Sequence, residues 1–331
     1  MAHATSSKAL EAVDLSKSYP GGRGRPRIRA LDQLSFSAEA GTIFGLLGPN
    51  GAGKSTTVKI LSTLSKADSG TATVAGIDVG RHPEQVRRAI GFVAQKPVTD
   101  PMDTGKENLV LAGRLQGLSG RDAKARAVEL LARFSLSDSA DRLVKTYSGG
   151  MARKLDVAIG LMHRPHVLFL DEPTTGLDPE ARADMWAELE TMARVEAMTV
   201  LLTTHYLDEA DRLASRLAIV DHGRIVVQGT PEELKDGLHG DAVILEPGPE
   251  TNIDAARQVV ERAGVLNEIL LDGRTLRGRA AAGAVALPQI LGALDEVALA
   301  VSSATVARPS LEDVYLRHTG HAFDAIKEAA A

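Results

Sequence analysis

Gly48-Pro49-Asn50-Gly51-Ala52-Gly53-Lys54-Ser55-Thr56 is the stretch on which the fold turns. A glycine, four residues, then Gly-Lys and a hydroxyl residue is the spacing of a phosphate-binding loop. Ahead of it, Thr42-Ile43-Phe44-Gly45-Leu46-Leu47 is short and apolar, as a parallel strand buried on both faces should be. Behind it, Thr57-Val58-Lys59-Ile60-Leu61 reads as the first turns of a helix. Gly51 and Gly53 let the backbone curl so that N–H groups converge on an anion. The helix starting near Lys54 adds its partial positive charge. The expected phosphate cradle is therefore Gly48, Asn50, Gly51, Ala52, Gly53, Lys54, Ser55 and Thr56. Lys54 would reach the β- and γ-phosphates, and the Ser55 hydroxyl would ligate Mg²⁺.

Working outward, 331 residues hold a nucleotide domain and a smaller second one. Hydrophobic residues are 44% of the chain but aromatics only 3%, so the core is built from Leu, Val, Ile and Ala. The net charge of -5 argues against nucleic acid as a partner, which calls for a basic face. With no cysteine, disulfides and thiolate metal sites are excluded. Met1 to Lys8 carries no apolar stretch of a signal peptide. The longest weakly apolar region, 284–307, is interrupted by Pro288, Asp295 and Glu296, whereas a span needs about 20 apolar residues. Any membrane role is expected to come through a partner.

Strand-like runs at Leu10–Leu15 and Ala30–Phe36 flank Tyr19 and a Gly/Arg stretch, residues 21–29, read as a solvated hairpin tip. Short strands are expected at Thr71–Val74 and Ala89–Val93. The pattern is helical from about 97 to 155, with apolar spacing of three to four over Glu107–Leu118 and Arg121–Phe134. Val167–Leu170 and Thr199–Leu202 are continuous apolar runs separated by a helix from Pro179 to Val195. Leu217–Val220 and Ile225–Val227 read as a closing hairpin, and Thr230-Pro231 starts a further helix. The expected nucleotide domain is 1–235. Beyond Gly240 the texture changes to a small α+β domain, 241–331.

The chemistry-bearing residues sit at the ends of these elements. Asp171-Glu172 closes the apolar run Val167–Leu170, at the C-terminal edge of an open α/β sheet where ligands bind. Asp171 is expected to hold Mg²⁺, and Glu172 to take the proton of the attacking water, a role typically worth about 10²–10⁴ in rate. His205 ends the next strand and Gln95 an earlier one; the first suits the γ-phosphate or the water, the second a sensor of Mg²⁺ and water. Ser148-Gly149-Gly150 is a second bare helix start able to bind an anion, yet the chain has one lysine-bearing loop. The economical explanation is that this end closes on the nucleotide of a second copy of the chain, the two meeting head to tail about a two-fold axis.

Taken together, Gly48–Thr56, Gln95, Tyr147–Met151, Val167–Glu172, Thr175-Gly176-Leu177-Asp178 and His205 resemble, in order, the motifs of an ABC transporter ATP-binding subunit. The likeness spans about Leu10 to Leu234. It implies a P-loop NTPase (RecA-like) α/β core with antiparallel β and helical subdomains, ATP hydrolysis with Mg²⁺, a homodimer and a separate membrane permease. It also implies that Tyr19 stacks on adenine, that Gln95 and the helical segment face the permease, and that Asp178 lies between the two sites. Tyr147 stands where that pattern has Leu, and Met151 where it has Gln. The stretch Arg308-Pro309-Ser310-Leu311-Glu312-Asp313-Val314-Tyr315-Leu316 is similar to the tail of daunorubicin-resistance-type exporters, which implies export of a drug or other amphiphile from the cytoplasmic face of the membrane. Ser310 also reads simply as the N-cap of a helix packing Leu311, Val314 and Tyr315 inward. A non-transport ATPase of translation or repair fits less well: there is one cassette, and no sustained heptads follow the phosphate loop.

Overall fold

Residues 8–21 and 26–320 are described by the structure, a computed structural model. Residues 22–25, the centre of the Gly/Arg stretch, lie outside the described residues, as do 1–7 and 321–331. The chain begins β1 (Lys8–Tyr19), β2 (Ile28–Glu39), β3 (Ile43–Leu47), α1 (Lys54–Leu61), β4 (Ser69–Val74), β5 (Ile77–Asp78), α2 (Pro83–Ala89) and β6 (Ile90–Val93). A helical stretch follows: α3 (Gly105–Leu115), α4 (Gly120–Arg133) and α5 (Gly149–Gly160). Then come β7 (Val167–Asp171), α6 (Pro179–Glu196), β8 (Thr199–Thr204), α7 (Leu207–Leu213), β9 (Arg216–Asp221) and β10 (Arg224–Gly229).

A six-stranded sheet in the order β10-β9-β3-β8-β7-β6 carries the site. β3 is parallel to β8 and β9, and β7 is parallel to β6 and β8, so their C-terminal ends share one edge. Every residue of β3, β7 and β8 is buried, which explains why these runs read as apolar throughout. Alternation survives inside that burial. Phe44, Leu46, Phe169 and Leu201 face the core shared with the antiparallel sheet β2-β1-β4-β5 and α1. Ile43, Leu168, Leu170, Val200 and Leu202 face the core shared with α3 to α6. Each such side chain contributes about 1.5–3 kcal/mol. Phe36 of β2 stacks on Phe44 with centroids 4.9 Å apart, tying the two sheets together.

The helical stretch is built from local signals. Thr104 and Glu107 form a capping box at the start of α3, and Ser119 caps α4 through the amide of Asp122. Tyr147 lies behind the start of α5, its hydroxyl donating to the Ser139 carbonyl at 2.6 Å. A Cβ on Gly105 would fall 2.3 Å from that hydroxyl, so the absent side chain at 105 makes room for the ring.

Two compact units divide between Gln228 and Gly229, earlier than the boundary read from sequence. The helix α8 (Pro231–Asp236) goes with the second unit, which continues β11 (Asp241–Pro247), α9 (Ile253–Ala263), β12 (Asn267–Asp272), β13 (Thr275–Ala280), α10 (Gly283–Asp295), β14 (Val301–Ala307) and α11 (Leu311–Thr319). The reason is local: Arg317 of α11 donates to the Gly237 carbonyl at the end of α8. This unit is a four-stranded antiparallel sheet, β12-β13-β11-β14, with a core that includes Val243, Leu245, Val260, Leu276, Ile290 and Leu294. Ser310 caps α11 in a capping box with Asp313, and Leu311, Val314, Tyr315 and Leu316 are buried.

Candidate nucleotide site

The loop between β3 and α1 is shaped by the glycines the spacing demanded. A Cβ on Gly48 would fall 2.3 Å from the Val220 carbonyl oxygen, and one on Gly53 2.6 Å from that of Ala30. Gly53 adopts φ +113° as the N-cap of α1, with no side chain over the first helical amides. Those amides are left for an anion. The cavity above them, about 330 Å³, is lined by Ala30, residues of the loop from Pro49 to Thr56, Gln95 and Glu172. Its size and its bare amides fit the phosphate end of a nucleotide.

Lys54 is only 4% exposed and donates to the carbonyls of Gly48 at 2.6 Å and Pro49 at 3.0 Å. Burial pushes its ammonium below the ordinary lysine value, and the charge of Glu172, 3.5 Å away, pushes back without cancelling that. Ser55 Oγ donates to Asp171 Oδ1 at 3.1 Å, and Thr203 Oγ1 reaches the same oxygen at 2.6 Å. A hydroxyl beside one carboxylate fits the hard-oxygen chemistry of Mg²⁺, which would take its remaining ligands from phosphate and water. Among the described residues no group of three or more His, Cys, Asp or Glu side chains could hold a metal ion.

Glu172 is the hub. Its carboxylate accepts from Gln95 Nε2 at 3.1 Å and from Thr175 Oγ1 at 3.4 Å, and Oε2 lies 3.2 Å from His205 Nδ1. The His205 contact is close but off the hydrogen-bond axis, since Nδ1 makes no hydrogen bond. Burial alone would raise the Glu172 carboxyl; the His205 ring and the Lys54 ammonium outweigh it and hold it below the usual range. The backbone at Glu172 is left-handed, φ +49°, unusual for a residue with a Cβ and costing about 1–3 kcal/mol. Thr203 holds it there, both its carbonyl and its hydroxyl accepting the Glu172 amide at 3.1 Å.

The structure thus brings Lys54, Ser55, Gln95, Asp171, Glu172 and His205 together. Ser148, Gly149 and Gly150 are not among them. Ser148 caps α5 through the Met151 amide, and Ser148 and Gly150 line a different cavity of about 250 Å³ that also takes in Asp178 and Ala181. Asp178 caps α6, accepting from the Ala181 amide at 2.9 Å. Tyr19 ends β1 opposite Ile28, with the Lys17 ammonium 5.6 Å from its ring centroid, and does not line the phosphate cavity.

Sequence reasoning missed Thr203, Arg153 and Glu209. Arg153 and Asp156 are charged residues on the buried face of α5, one turn apart among Leu155, Val157 and Ala158; that misplacement was the available signal. Glu209 is wholly buried and accepts from Thr174 Oγ1 at 2.8 Å and Trp186 Nε1 at 3.0 Å, linking the loop after β7 to α6 and α7. Burial raises its carboxyl above the usual range.

The ABC transporter family model matches residues 31–175, from β2 to the loop after β7. The chain is 43% identical over 318 residues, 96% of its own length and 94% of the other's, to the daunorubicin/doxorubicin resistance ATP-binding protein DrrA of Streptomyces peucetius. It belongs to the ABC transporter family. It is likewise 45% identical over 295 residues, 88% of this chain and 91% of that one, to the daunorubicin resistance ATP-binding protein DrrA2 of Streptomyces coeruleorubidus. To the Nod factor export ATP-binding protein I of Sinorhizobium fredii it is 38% identical over 97% of this chain and 88% of that one. A solved dimeric ATP-binding cassette in a post-hydrolysis state, bound to ADP and Pi, superposes with a TM-score of 0.61 at 25% identity, covering 67% of this chain and 98% of that one. The chain is therefore an ATP-hydrolysing, ATP-binding subunit, of a kind that pairs with its like and works with a membrane permease. No helix among the described residues is long and apolar enough to cross a membrane.

Proposed function

We propose that two copies of this chain close head to tail around two ATP molecules and drive a separately encoded permease that exports a drug, antibiotic or similar amphiphile. The subunits would work at the cytoplasmic face of the membrane. In each site Lys54 and the amides at the start of α1 bind the phosphates, while Ser55 and Asp171 would hold Mg²⁺, which would supply neutralisation of charge on the transferring group. Glu172 accepts the proton of the attacking water, Gln95 orients that water, and His205 hydrogen-bonds the γ-phosphate. Ser148–Gly150 of the other copy covers the same phosphate, with Asp178 at the junction, and Tyr19 stacks on the adenine. The names of the relatives, resistance proteins for daunorubicin and doxorubicin, support the cargo class.

The observation that carries this reading is the convergence on the Glu172 carboxylate of Gln95 at 3.1 Å, His205 at 3.2 Å and Lys54 at 3.5 Å. A carboxylate in the lining of a phosphate cavity is placed to act as a base. Glu172→Gln is expected to keep MgATP binding, lower turnover by about 10²–10⁴ and trap an ATP-dependent dimer seen by size-exclusion chromatography. Wild-type turnover in this variant would remove Glu172 from the role.

A further inference from the structure

Arg153 of α5 is 7% exposed and spends its guanidinium on main-chain oxygens belonging to other elements. Its Nε donates to the Pro173 carbonyl at 2.7 Å, and one terminal nitrogen donates to Ala94 at 2.7 Å. The other lies 3.3 Å from the Asp171 oxygen and 3.4 Å from that of Glu172. Asp156, one turn further along α5 and also buried, accepts the Val98 amide at 3.2 Å and sits 3.7 Å from Arg153. Ala94 and Val98 flank Gln95. The two side chains therefore hold both ends of the peptide that presents Gln95, while Arg153 also reaches the carbonyl of Glu172, whose amide is held by Thr203.

The same helix begins at Ser148. Arg153 lies about 7.5 Å along its axis from that cap at 1.5 Å per residue, and a hydrogen-bonded helix moves as one piece over such a length. We propose that Arg153, braced by Asp156, is the positioning residue through which contact at Ser148–Gly150 sets Gln95 and Glu172 of the same protomer. Each copy's own site would then be aligned only when its α5 has engaged the partner's nucleotide, so that the two sites of a dimer fire together. A guanidinium suits this task because its planar fork of five donors can join several carbonyls at fixed angles, which an ammonium cannot. The coupling passes through a rigid element whose position both ends bias, which is the physical requirement for linkage between sites.

This inference rests on the shared-site reading above, and the test separates the two. Full-length Arg153→Met is expected to bind MgATP within about twofold of wild type by calorimetry. In the Glu172→Gln background it is still expected to form the ATP-trapped dimer. Its kcat should fall at least tenfold with KM little changed, and the Hill coefficient of its ATPase should drop from near two towards one. Asp156→Asn should move the same quantities in the same direction, less far. Arg153→Lys should restore less than half of kcat and none of the cooperativity; it also carries the test should Arg153→Met not fold. Wild-type kcat and cooperativity in a folded Arg153→Met, or in Arg153→Lys, overturns the proposal. So does a loss of kcat matched by equal losses of affinity and thermal stability, the signature of a merely structural role. Failure of Glu172→Gln with Arg153 intact to trap a dimer would instead overturn the shared site itself.

Discussion

Two helix starts in the first unit look alike in sequence and differ in what surrounds them. Both have glycines at their start, Gly51 and Gly53 before α1 and Gly149 and Gly150 as the first residues of α5, and both present backbone amides. At α1 the amides have no side-chain cap, and a lysine, a hydroxyl, two carboxylates, a glutamine and a histidine of the same chain converge beside them. At α5 the serine hydroxyl already takes one amide, and Asp178, Glu180 and Asp184 line the adjoining cavity. A helix dipole end makes an anion site only with the charge placed around it. On the proposed reading the first start is the reaction centre, and the second would become useful when the anion arrives already neutralised by another chain's lysine and metal.

Substitutions sharpen that contrast. Lys54→Ala removes the cation from the α1 end, and charge-assisted hydrogen bonds are worth about 1.5–3 kcal/mol each. MgATP affinity of the isolated chain should fall about 100-fold or more by calorimetry; unchanged affinity would mean the α1 end is not the phosphate site. Ser148→Arg alters the α5 end alone. It should leave that affinity within about twofold but cut turnover at least tenfold, and full activity would mean the α5 end plays no part in the cycle.

The smallest effect is a pH dependence confined to the α1 end. Because Glu172 is held below its ordinary value, its ionised form adds stability above about pH 4.5, lost as pH falls through the depressed value. The fall in Tm between about pH 5 and pH 3 should therefore be shallower in Glu172→Gln than in wild type and unaltered in Ser148→Arg. Equal slopes in all would show that the Lys54–Glu172–His205 cluster carries no electrostatic linkage.

The parallel core was open to reading because its strands carry continuous apolar runs and its loops carry punctuating glycines. The run 42–47 contains β3, Ile43–Leu47, and Val167–Leu170 opens β7, both strands fully buried. Short elements escaped notice. The helices α2 and α7 have seven residues each, too few for a period to stand out, and β5 has two. In the second unit β14 was hidden because Val301–Ala307 is largely exposed along a sheet edge and mixes small apolar with hydroxyl residues. The sequence pattern marks a helix near Leu287–Leu294, whereas α10 runs from Gly283, since Pro288, a residue that usually ends a helix, lies inside it.

Composition, spacing and local chemistry determined that this chain handles a triphosphate: Gly-Lys-Ser after a buried strand and Asp-Glu at the end of another need no long-range information. Only the tertiary structure decided who stands next to whom. That Thr203 holds Glu172 in a left-handed backbone, and that Arg153 grips the peptides of Gln95 and Glu172 from α5, depend on parallel strands brought side by side across long gaps in sequence. Side chain-to-backbone bonds across such gaps leave no periodic trace, because a carbonyl oxygen is the same in every residue.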